Sequence, residues 1–146
     1  MPVIARPVRS IAFMLVLLTN SVAIAQDDMK AESQDMSYVE QYARCATFFA
    51  IAVESLANLG DHKTALTYQE YQYGATMYLF GWAHQGRDEE TAEELAGSLV
   101  EAYEKQMLEV LDGRDENVSI LIDQHGRECI DLMREPPEVF EDLDSS

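Results

Sequence analysis

Apolar residues recur along this chain at alternating steps of three and four, in four segments each closed by glycine or proline. That spacing lines one face of a helix, whereas the period-2 alternation of a half-buried strand is found nowhere. The first segment opens at Ser37-Tyr38-Val39-Glu40, a capping-box order in which the serine caps the helix and the glutamate reaches back. Val39, Tyr42, Ala46, Phe49, Val53 and Leu56 give its core face, and Gly60 ends it, glycine being at ease in the left-handed conformation of a helix terminus. The second runs from an Asp61 N-cap to about His84, with Gly86 as its stop. It carries one stripe of Tyr68, Tyr71, Ala75, Tyr78 and Trp82 and another of Leu66, Tyr73, Met77 and Phe80. Two stripes predict a wide apolar face and the most buried helix of the set.

The third segment opens at Asp88-Glu89-Glu90, where acids suit the positive end of the helix dipole. Ala92, Leu95, Leu99, Tyr103, Met107 and Val110 form its core face, and Gly113 closes it. The fourth follows Asp115 and bears Val118, Leu121, Ile122, His125, Cys129 and Leu132 on one side, until Pro136 and Pro137 forbid continuation. Short connections between four helices predict an all-α fold, a small antiparallel up-down-up-down bundle over residues 37–135. Residues 26–36 read as a flexible acidic lead and residues 136–146 as a disordered acidic tail.

The two cysteines, Cys45 and Cys129, test that topology. Cys45 stands near the start of the first predicted helix and Cys129 near the end of the fourth. In an antiparallel pair the two fall at the same level, roughly 10 Å and 8 Å from one end at the rise of an α-helix. A disulfide joining helix 1 to helix 4 is therefore expected, provided the compartment is oxidising.

Such a compartment is what the N-terminus predicts. Arg6 and Arg9 precede an apolar run, Ile11 to Thr19, and Ala23-Ile24-Ala25 supplies a small-x-small cleavage signature before Gln26. That order is the layout of a secretory signal peptide, residues 1–25, with cleavage after Ala25. The run is about half the 20 residues needed to span a bilayer, so no membrane association is expected after cleavage. A periplasmic or secreted protein follows.

The formal net charge is −17, and loss of Arg6 and Arg9 with the leader makes the mature chain more acidic still. Such a surface repels nucleic-acid phosphates and anionic headgroups, which argues against either as a partner. A basic protein partner suits it.

Few constellations suggest chemistry. His125 and Cys129 are spaced i, i+4, and with Cys45 they would offer a metal two thiolates and an imidazole; His125 is the weak candidate ligand. The reading demands reduced thiols. Neither cysteine has the Cys-x-x-Cys-His context of attached haem, and no histidine follows a glutamate by three as a di-iron bundle requires. No group is placed for nucleophilic or acid–base work, so no enzyme and no cofactor is expected. The unusual feature is the aromatic density of helix 2. Tyr68, Tyr71, Tyr73, Tyr78 and Trp82 are either core or a partner-binding row, since tyrosine and tryptophan are enriched at interfaces. The expected function is a non-catalytic inhibitor, immunity-type protein or adaptor; the alternative is a metal or haem carrier of the four-helix type.

Overall fold

The structure, a computed structural model, describes the backbone of residues 16–137 and the side chains of residues 35–137. The first fifteen residues of the expected signal peptide, and the expected tail from residue 138, lie outside the described residues. The chain divides into two units, Met1–Gln34 and Asp35–Ser146, and the bundle belongs to the second. Its elements are α1 (Val16–Asn58), α2 (His62–Ala83), α3 (Glu89–Leu111), a 3-10 turn (Asp115–Asn117), α4 (Val118–Leu121), a π-helical turn (Ile122–Gly126) and α5 (Arg127–Arg134). Since α4, the π turn and α5 follow without a break, they act as one fourth helix. No strand occurs among the described residues.

The punctuation falls where the residues predict it. Asp61 accepts from the Thr64 amide at 3.2 Å and caps α2, and Asp88 accepts from the Thr91 amide at 2.8 Å and caps α3. After α1 the chain turns at Gly60 with φ +85°, a backbone conformation that a side chain would strain.

The start of α1 differs from the capping-box reading. The helix includes residues 26–36, where a flexible lead is expected, so Ser37 is interior and its hydroxyl accepts from Gln41 Nε2 at 3.0 Å. The reason lies in Lys30, Ala31, Glu32, Gln34 and Met36: they are good helix formers, and no glycine or proline intervenes to stop the helix.

Aromatic pairs set the direction of the first two helices. Tyr38 stacks on Trp82 at 4.6 Å between ring centroids, Tyr42 on Tyr78 at 5.1 Å, and Phe49 meets Tyr71 and Tyr68 at 5.4 Å. Numbers rise along α1 as they fall along α2, so the two helices are antiparallel. The fourth helix is antiparallel to α1 as well: Arg44 pairs with Glu128 and Cys45 bonds Cys129, whereas Phe48, further along α1, faces the earlier His125. The disulfide joins α1 to α5 with Cα atoms 5.3 Å apart, both cysteines fully buried.

Among the described side chains the most buried helix is α1, not α2. From Val39 to Leu56 it buries residues on nearly every side, among them Tyr42, Cys45, Phe48, Phe49 and Ala52. A stretch reading Tyr-Ala-Arg-Cys-Ala-Thr-Phe-Phe-Ala-Ile-Ala is apolar almost all round, which is the pattern of a helix enclosed by others.

Candidate functional site

On α2, burial separates the two apolar stripes. Trp82 is 1% exposed and Tyr68 7%, and Ala75 and Leu79 are buried with them. Leu66, Tyr73, Met77 and Phe80 are 63%, 72%, 73% and 40% exposed. At 100° per residue this second set falls on one line of the helix, about half a turn from Tyr68, Ala75 and Trp82. The expected single wide face is thus two opposed faces, one in the core and one in solvent.

The predicted aromatic row divides accordingly. Tyr68 and Trp82 are core residues, because α1 supplies Tyr38, Phe48 and Phe49 to pack against them. Tyr71 and Tyr78 are half-buried against Phe49 and Tyr42. Tyr73 alone of the five stands well out from the surface. Leu66, Met77 and Phe80, which the candidate row of five leaves out, belong with it. Their spacing already groups them with Tyr73 in the sequence; what the sequence leaves open is that this stripe faces solvent.

From Tyr73 onward this outward face is free of charge. Lys63 and Glu70 are the only Lys, Arg, Asp or Glu in α2, and both fall on this side beside Leu66, so the uncharged stretch is Tyr73, Met77 and Phe80; α3 carries Glu89, Glu90, Glu93, Glu94, Glu101, Glu104 and Glu109 against Lys105. Isolated exposed apolar residues are ordinary; here four are aligned, and from Tyr73 to Phe80 the row carries no charge on a strongly acidic chain.

A second location surrounds His125. Arg44, Tyr103, Met107, Gln124 and His125 line a hollow of about 310 Å³ between α1, α3 and the π turn. Burial lowers the His125 pKa, the Arg44 charge lowers it further, and Glu128 pulls weakly the other way. Both burial and Arg44 thus favour the neutral ring, which rests 5.9 Å from the Phe48 centroid. Both sulfurs that the metal reading requires are in the disulfide, and a bonded sulfur is no thiolate ligand. Among the described residues no three of His, Cys, Asp and Glu converge on a point that could hold a metal. No helix among them is long and apolar enough to cross a membrane.

Comparison of the chain with protein-family models, with curated proteins and with solved structures finds no match.

Proposed function

We propose that this is an exported, non-catalytic helical protein that binds a protein partner through the outward face of α2, acting as an inhibitor, immunity-type protein or adaptor. The observation that carries the reading is the aligned exposure of Leu66, Tyr73, Met77 and Phe80. Leaving such a row in water forgoes roughly 25 cal/mol for each Å² of apolar surface that a partner would cover. Export is supported by the leader layout of residues 1–25 and by the disulfide, which persists in oxidising compartments. Excess negative charge steers a basic partner toward the surface, and the α2 row then holds it.

The test compares wild type with a Tyr73→Glu/Met77→Glu double variant, each recovered from its own host's periplasm at low salt. The reading expects mature protein of residues 26–146 with the disulfide formed. It also expects a co-purifying protein that the double variant loses while keeping its helicity and melting temperature. Equal recovery of the same partner by both proteins would place binding elsewhere.

A further inference from the structure

The outward face of α2 does not stand alone. It is one bank of an apolar groove of about 350 Å³ whose opposite bank is α3. Ala46, Ala50 and Ile51 of α1 and Ala96 of α3 lie along it, with Phe80 and Val100 on the two banks. Gln72 and Thr76 border both this groove and the shallow surface around Tyr73 and Met77, so groove and stripe are continuous. The groove offers few free donors, for Thr47 and Thr76 donate their hydroxyls to Ala43 O at 2.7 Å and Gln72 O at 2.8 Å on their own helices.

The two banks differ in charge. Glu93, Gly97, Val100 and Glu104 follow one another on α3 at i, i+4, i+7 and i+11, which is a single line along a helix. Glu104 borders the groove itself, and Glu93 and Glu104 are both exposed. The α3 bank is thus a rail of carboxylates one helix across from the uncharged stretch of Tyr73, Met77 and Phe80. Gly97 keeps the middle of that rail low: a Cβ built there meets no atom within 4 Å.

From this arrangement we infer that the groove between α2 and α3 takes an amphipathic basic helix. Its apolar side chains settle against Tyr73, Met77 and Phe80, and its lysines or arginines run along Glu93 and Glu104. The inference rests on the reading of α2 as an interaction face and supplies the chemistry of its occupant. Helix-in-groove recognition uses anchors at i, i+3, i+4 and i+7, which match the period of the banks. A second copy of the chain fits less well, because it would bring its own acidic rail against this one.

The mature, disulfide-bonded protein is titrated with a designed Leu/Lys amphipathic helix, with the same composition scrambled to abolish the apolar face, and with a Leu/Glu counterpart. Calorimetry reads affinity at low and at moderate salt. The amphipathic Leu/Lys helix is expected to bind best. Met77→Glu, on the surface and harmless to folding, weakens it by about tenfold or more by setting a carboxylate against the apolar anchors. Gly97→Leu fills the groove and has a like effect, and Glu93→Gln/Glu104→Gln weakens binding several-fold and flattens its salt dependence. Equal binding of the scrambled peptide, or indifference to both Met77→Glu and Gly97→Leu, overturns the inference, as does the absence of binding. Preference for the Leu/Glu helix, or a dimer in sedimentation that Met77→Glu abolishes, also overturns it but leaves α2 an interaction face. If, in addition, no host protein reaches residue 77, the broader reading falls too.

Discussion

Arg44 and Glu128 pair directly beside the Cys45–Cys129 bridge, so that α1 and α5 are fastened twice at one level. The two fastenings are unequal. The bridge closes a sequence separation of 84 residues, worth roughly 4–5 kcal/mol on the chain-entropy account. Glu128 is mostly in solvent, where an ion pair contributes at most about 1 kcal/mol. Denaturant unfolding should therefore find Cys45→Ala/Cys129→Ala destabilised by several kcal/mol and Arg44→Ala only slightly changed. A small loss on removing both cysteines would mean that core packing alone holds α5 to α1.

Tyr42 is fully buried, and its hydroxyl has no hydrogen-bond partner among the described residues. Its pKa is raised by burial first, and by Tyr78 and Tyr38 beside it. A buried, unsatisfied hydroxyl costs about 1–3 kcal/mol, whereas the ring stacks on Tyr78 whether or not it carries oxygen. Tyr42→Phe should raise stability by about 1 kcal/mol in chemical denaturation. A loss of that size would show that the hydroxyl is satisfied in solution.

Trp82 and Met77 lie on the same helix with opposite exposure, which gives a paired test of the fold. Trp82→Ala empties a site packed against Tyr38 and should cost about 3–5 kcal/mol. Met77→Glu should leave the melting temperature within a degree or two, as surface substitutions do. If the two variants were equally destabilised, the outward face of α2 would be covered in solution.

Acid should weaken the bundle through His125. Its pKa is lowered by burial and then by Arg44, with Glu128 opposing, so the unfolded chain binds this proton more readily than the folded one. Stability from the neutral ring is complete above the unfolded value near 6.5, and it is lost as pH falls from there through the lower folded value. Melting temperatures of wild type and His125→Gln, followed from pH 7.5 to 5, should converge or cross because the variant lacks this slope. Parallel curves would show that His125 titrates alike folded and unfolded.

Gly97 offers a gain in stability. It lies within α3, and a Cβ there meets nothing within 4 Å. Gly97→Ala should stabilise by about 0.5–1 kcal/mol by restricting the unfolded chain and favouring helix, measured by urea midpoint at unchanged slope. A loss would indicate that the groove closes on this position in solution.

Much of this architecture is legible in the residues. Asp61 and Asp88 as caps, Gly60, Gly86 and Gly113 as stops, and the Cys45–Cys129 pairing follow from local chemistry and one length argument. Three features resist for physical reasons. The capping-box order at Ser37 is a valid start signal, yet nothing before it halts a helix, and helix formation propagates until something does. A helix with two apolar stripes does not say which one its neighbours cover. Here α1, with aromatics of its own, takes the Tyr68–Trp82 side and leaves Tyr73 and Met77 outside. The π turn at Ile122–Gly126 adds a residue to a helical turn, and its one sequence mark is Gly126, so apolar periodicity alone passes over it.

The most direct test of the account places a photo-crosslinking residue at Met77 in the native host, with Ile120, exposed on α4, as the control. The account predicts a discrete protein adduct from position 77, absent from position 120 and lost when Tyr73→Glu is added. No adduct at 77, or the same adducts from both positions, would contradict the claim that the outward face of α2 is where this protein acts.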